Sequence, residues 1–226
     1  MRPPEELQTM NIAIIGTGNV GSGLATAFVR AGHRVALAAR TPEQVEAAAA
    51  ASGATAATSP AAAAAIGDVV VLAVPFSAAE GIAAAIAPIV NGKPVVDVTN
   101  PAKPDSSGPL FAGTDSGAER IAAWLPAAHV VKAFNTLLAG NIADPELSGI
   151  ALDGYVAADD AEAKALVLEL VASIGLNPID AGPLTAARML EQLAWLNISL
   201  NMQPGWTWRT GWKLVGAPEL VAARAA

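Results

Sequence analysis

The chain has 226 residues, 53% hydrophobic and 15% charged, long and apolar enough to bury a core in one or two compact units, which excludes a disordered protein. Thirteen Lys and Arg against twenty Asp and Glu give a formal charge of -7, which argues against a phosphate-backbone partner, because nucleic-acid binders cluster cations. With no cysteine and two histidines, His33 and His129, no disulfide, thiolate nucleophile, sulfur-ligated metal or multi-histidine metal site is expected, and small-molecule chemistry is.

The opening MRPPEELQT, 1–9, is acidic and lacks an apolar h-region, so it reads as a frayed lead-in rather than a secretory signal, and a cytoplasmic location is the default. Apolar runs at 12–15, 34–38, 69–74, 94–98, 130–134 and 151–157 read as strands. Helical stretches at 19–31, 42–51, 60–66, 78–90 and 117–125 alternate with them. The longest apolar run, PAAAAAIGDVVVLAVPF at 60–76, is broken by Asp68 and bounded by prolines, so it reads as helix, turn and buried strand, and no membrane span is expected.

After Tyr155 the rhythm changes. DDAEAKALVLELVASIG is an amphipathic helix opened by acids and closed by Gly175, LNPID is a short strand, and LTAARMLEQLAWLNISLNM is a helix too apolar for one exposed face. Such a helix needs a partner, in this chain or another copy. The whole predicts an α/β fold, a doubly wound parallel sheet of the Rossmann type, with a small C-terminal α/β extension ending in an apolar helix. The expected division is a dinucleotide-binding domain at 10–157 and an extension at 158–226.

The segment NIAIIGTGNVGSG carries Gly16, Gly18 and Gly21 in a G-x-G-x-x-G spacing between a strand and a helix. A pyrophosphate needs backbone N–H donors at close range and a favourable helix dipole, and this loop supplies both. Gly16 permits the turn, Gly18 lets the backbone approach the phosphates, and Gly21 lets the helix pack on the strand. At the end of the second strand, Ala38, Ala39, Arg40 and Thr41 offer no acid to accept from a ribose 2′-OH. Arg40 can instead pair a 2′-phosphate and stack on adenine, and Thr41 can donate to it, so NADP(H) is favoured over NAD(H).

These segments, with VVDVTNP at 95–101, SGAE at 116–119, VVKAFNT at 130–136 and DAGPLTAARMLE at 180–191, make the chain resemble the NADPH-dependent coenzyme F420 reductase family over about residues 10–200. It is more distantly similar to the oxidoreductase domain of the STEAP metalloreductases. The resemblance implies a homodimer that transfers hydride between NADPH and bound deazaflavin (coenzyme F420) or flavin. It also implies that Thr17, Gly18, Asn19 and Val20 line the pyrophosphate and that Arg40 and Thr41 meet the 2′-phosphate. Val74, Pro75 and Phe76 would then flank the nicotinamide, with Asn100 and Pro101 near its ribose. The rule that open α/β sheets bind ligands at the carboxyl ends of their strands agrees with those last positions.

VVKAFNT places Lys132, Asn135 and Thr136 at the end of a buried strand. Lys132 is expected to snorkel to solvent or pair with an acid, and Asn135 and Thr136 to stand in the shell of the cleft. No residue is assigned a catalytic role: Tyr155 has no adjacent lysine, and His129 reads as a surface histidine. Hydride passage between two stacked cofactors needs little proton chemistry, which suits that scarcity. Two other readings stay open, a reductase of a small imine or carbonyl using Tyr155 or Lys132, and a non-catalytic dinucleotide sensor. Trp206, Trp208 and Trp212, beside Arg209 and Lys213, would wall an acceptor pocket or fill a dimer interface.

Overall fold

A computed structural model describes residues 9–105, 107–111 and 113–216. The expected frayed segment, 1–9, lies outside these except for Thr9, as do the last ten residues of the 158–226 extension. In chain order the first half runs β1 (Asn11–Ile15), α1 (Asn19–Arg30), β2 (Arg34–Ala38), α2 (Pro42–Ser52), β3 (Thr55–Ala56), α3 (Pro60–Ile66), β4 (Val69–Leu72), α4 (Phe76–Ile86), β5 (Pro94–Asp97), α5 (Gly117–Trp124) and β6 (His129–Ala133). A 3-10 turn at Ala139–Asn141 and a hairpin of β7 (Glu146–Leu147) and β8 (Ile150–Ala151) follow. The chain continues as β9 (Asp153–Ala158), α6 (Ala161–Ser173), β10 (Asn177–Gly182), a 3-10 turn at Leu184–Ala186 and α7 (Ala187–Asn201).

Among the described residues one sheet has eight strands in the order β10-β9-β6-β5-β4-β1-β2-β3. From β1 the chain winds outward through β2 and β3, then returns to lay β4, β5 and β6 on the other side. The carboxyl ends of β1 and β4 therefore flank the switch point at which such sheets bind ligands. Side chains alternate between two cores: Ile12 and Ile14 join Leu24, Phe28, Leu37 and Val71 on one face, whereas Ala13 and Ile15 join Ala63, Ala64, Ala79, Ala83 and Ile86 on the other. The period of two along a strand makes both faces apolar, and the alanines of α3 and α4 let those helices lie close to the sheet.

The expected doubly wound sheet is present and mostly parallel, with one departure: β9 pairs antiparallel with β6 (Lys132↔Ala157), and β10 is parallel to β9. No helix of crossover length lies between β6 and β9, and without one the chain returns in the opposite direction. Helix α4 starts at Phe76 and stops at Ile86, short of 90, because Pro88 has no N–H to extend the ladder. Strand β6 ends before Phe134, whose φ of 60° takes the chain out of the extended region.

Local capping explains much of the regularity. Ser59 and Asp160 accept from Ala62 N and Ala163 N at the starts of α3 and α6. At the start of α5 the Ser116 hydroxyl accepts from Glu119 N and donates to Glu119 Oε2, while Ser116 N donates to Asp115, and Glu119 also receives a two-pronged pair from Arg188 of α7 at 2.8 and 2.6 Å. Lys93 caps the far end of α3, donating to the Ala64 and Gly67 carbonyls.

Candidate functional site

Gly16 leaves β1 with a φ of +113°, and its N–H donates to the Ala38 carbonyl at 2.8 Å, tying the loop to the end of β2. A side chain there would overlap the backbone carbonyl of Ala73, and one at Gly21 would overlap the carbonyl of Gly16. These two glycines are required by the protein's own packing. Gly18 differs, because a Cβ there would meet nothing within 4 Å. Gly18 is also the N-cap of α1, with no side-chain cap and no acid in the first turn, so the first N–H groups of the helix remain free for an anion.

Arg40, just past β2, is exposed and makes no ion pair or hydrogen bond among the described residues. Thr41 is the N-cap of α2, accepting from Gln44 N at 3.4 Å. The Glu43 carboxyl is held below its usual range by its own backbone N–H and then by the Thr41 hydroxyl. Thr41 therefore has local capping work besides any contact with a phosphate.

A cavity of about 560 Å³ opens at the switch point. Of the residues singled out from the sequence it brings together Gly16, Thr17, Gly18, Arg40, Val74 and Pro75. Gln44, Pro60, Ala78 and Ile82 complete its far wall and were not anticipated. The available signal was faint: Ala78 and Ile82 stand four apart on one face of α4. Asn19, Val20 and Gly21 lie in the first turn of α1 behind the loop, and Thr41 lies at the helix start beside Arg40. The ring of Phe76 turns away, stacking on Trp124 at 5.7 Å and meeting Phe111 edge-on at 5.7 Å.

The remaining predicted positions lie at the ends of β5 and β6. Asn100 donates from Nδ2 to the Asn135 carbonyl at 2.7 Å, and Asn135 Nδ2 donates back to Asn100 Oδ1 at 2.9 Å and to the Leu190 carbonyl at 3.1 Å. Asn135 is buried, so it bears on the cleft through Asn100, and Pro101 is buried beside them. Thr136 is buried as well.

Lys132 does not reach solvent. Wholly buried, it donates to Asp97 Oδ2 and Glu191 Oε1, both at 2.8 Å, and to the Thr99 carbonyl at 2.5 Å. The expected pairing with an acid is thus the observed one, and there are two acids. Burial pushes the Glu191 carboxyl above its usual range against the pull of Lys132, with Asp97 adding repulsion. Glu191 was not anticipated; its signal was an acid on an otherwise apolar stretch of helix.

The other candidate proton donors are committed elsewhere. The Tyr155 hydroxyl donates to Asp153 at 3.3 Å, and burial together with the Asp153 charge pushes it up to about 12. His129 lies 3.4 Å from Asp160 at the surface. In the tail, Arg209 binds the Gly140 carbonyl and Asp144, while Lys213 binds Asp153, so neither cation stands free. Trp206 and Trp208 are exposed, at 42% and 48%. No helix of the described residues is long and apolar enough to cross a membrane.

Comparison with known proteins places this geometry among relatives. Residues 11–101 match the family model described as NADP oxidoreductase, coenzyme F420-dependent. An F420-dependent NADP reductase of Methanothermobacter thermautotrophicus is 34% identical over 214 residues, covering 88% of this chain and 92% of that protein. Metalloreductase STEAP3 of Rattus norvegicus is 30% identical across 86% of this chain but only 37% of its own length. A crystal structure from Arthrobacter sp., named as a candidate F420-dependent NADP reductase, superposes with a TM-score of 0.78 at 32% identity, covering 85% of this chain and 94% of that one.

Proposed function

Since the chain belongs to the family of coenzyme F420-dependent NADP oxidoreductases, we propose that it passes a hydride between NADP(H) and a deazaflavin or flavin held against the nicotinamide. The observation that carries the cofactor half is one cavity bounded by the open Gly18, the uncapped start of α1 and an Arg40 without a partner among the described residues. The pyrophosphate belongs over Thr17, Gly18, Asn19 and Val20, with Gly16 and Gly21 shaping the turn beneath. Arg40 and Thr41 take the 2′-phosphate, and Pro60 and Ile82 offer apolar surface across the same cavity for the adenine.

Val74 and Pro75 wall the nicotinamide end, where Phe76 begins α4, and Asn100 stands at the neighbouring lip, backed by the buried Pro101 and Asn135. NADPH supplies the hydride, so these side chains need only bind, orient and exclude water. The identity of the acceptor as deazaflavin or flavin rests on the family. The reading as an imine or carbonyl reductase finds no support, because Tyr155 and Lys132 are each tied to carboxylates. Residues 10–157 are assigned to the dinucleotide and 158–226 to the acceptor side and to a homodimer contact, which the outward Met189 and Leu196 of α7 support.

The test is a titration with NADPH and NADH followed by an absorbance screen of oxidised and reduced deazaflavin and then flavins. Tight NADPH binding with turnover of one acceptor is expected. Failure to bind either dinucleotide overturns the reading.

A further inference from the structure

The triad of Lys132, Asp97 and Glu191 is not used by the proposed chemistry, yet two carboxylates and one ammonium buried together are an unusual content for a core built mostly of aliphatic side chains. Burying three charged groups costs more desolvation than an apolar filling of the same volume would, so what the arrangement gives in return is a fixed geometry. That geometry converges on Thr99. Asp97 Oδ1 accepts from Thr99 N at 2.8 Å, and Lys132 donates to the Thr99 carbonyl, so the backbone of one residue is gripped from both sides.

Glu191 extends the grip to two more elements. Its Oε1 accepts from Lys132 and also from Gly117 N, the first residue of α5, at 2.9 Å. A Cβ on Gly117 would stand 2.7 Å from Pro101 Cγ, 3.1 Å from Thr99 Oγ1 and 3.2 Å from Glu191 Oε1, so Glu191 and the 99–101 segment close on one point. One residue earlier on α7, the Leu190 carbonyl accepts from Asn135, whose amide also holds Asn100. Asn100 and Pro101 follow Thr99 directly, and β5 is paired with β4, whose continuation at Val74 and Pro75 walls the cavity.

We propose that Lys132 and Glu191 are positioning residues: from beneath the carboxyl end of β5 they hold Thr99, and through it aim Asn100 and Pro101 at the nicotinamide half of the cofactor. The inference rests on the NADP(H) reading above. It makes α7 a working part of the dinucleotide site, although none of its residues lines the cavity at the switch point.

The test compares NADPH with 2′,5′-ADP, a fragment that keeps the 2′-phosphate and lacks the nicotinamide, by calorimetry on the full-length protein. Glu191→Ala is expected to leave the fragment's affinity within about twofold while reducing the extra affinity of whole NADPH about tenfold, since misplacement of a contact by an ångström has effects of that order. Glu191→Gln keeps an oxygen that accepts from both Lys132 and Gly117 N, and it is expected to restore the difference. Equal losses for both ligands, or no loss for either, would overturn the positioning role. Should Glu191→Ala fail to fold, Glu191→Gln with Gly117→Ala carries the test. Gly117→Ala crowds Pro101 directly and is expected to lower NADPH affinity and spare the fragment; a Gly117→Ala protein that binds both ligands as the wild type does would overturn the inference. A wild-type protein that binds neither ligand removes the cofactor reading itself, and this inference with it.

Discussion

Gly16 lies directly beneath the carbonyl of Ala73, so closely that no side chain fits between the loop after β1 and the end of β4. Two glycines apart by one residue thus have different physical reasons. Gly16→Ala meets both a backbone clash and a positive φ, and a loss of about 3 kcal/mol or more is expected in urea or thermal unfolding. Gly18→Ala meets open space and is expected to fold with its melting temperature nearly unchanged, yet to lose about tenfold or more in NADPH affinity. Equal behaviour of the two variants would contradict this division.

Arg40 stands at the cavity's edge with no partner among the described residues. Arg40→Ala is expected to weaken NADPH by roughly 10- to 100-fold, the range of a charge-assisted contact to a phosphate, and NADH by no more than about threefold. Parallel titrations decide it, and equal losses would show that Arg40 does not read the 2′-phosphate.

Glu191 has a raised folded-state value, so between the ordinary glutamate value of 4.5 and that raised value the folded protein binds more protons than the unfolded chain. Its contribution therefore lowers stability as pH rises through that window. Glu191→Gln leaves Lys132 paired with Asp97 and removes the titration. The stability of the variant relative to the wild type is expected to increase as pH rises from 4 toward neutrality, followed by urea midpoints; a difference that does not change with pH would refute it.

Tyr155 has its hydroxyl committed to Asp153 and pushed up to about 12, which makes it a poor proton donor near neutrality. Tyr155→Phe is expected to leave the NADPH oxidation rate within about twofold. A hundredfold fall would restore the imine or carbonyl reductase reading.

The parts legible in the sequence were those with local causes. Alternating apolar runs and alanine-rich stretches located β1, β2, β4, β5, β6 and α1 to α5, because strand and helix periods are read within a dozen residues; the two-residue β3 (Thr55–Ala56) is too short to show a period and was missed. The glycine loop was legible for the same reason: turn, helix start and anion donors occupy six consecutive residues. Phe76 shows the limit. It was expected to flank the nicotinamide ahead of a helix beginning at 78, but α4 begins at Phe76 itself and its ring follows Trp124 and Phe111, which stand far along the chain.

Sequence alone thus determined a βαβ chain whose first loop is shaped for a pyrophosphate and whose second strand ends on a cation instead of an acid. Only the tertiary structure decided that β9 returns antiparallel, that Pro60 and Ile82 close the cavity, and that Lys132 is shared by Asp97 and Glu191, 35 and 59 residues away. A buried charge finds its partner in space. Which acid that is depends on how helices dock on a finished sheet, and no local pattern of residues encodes it.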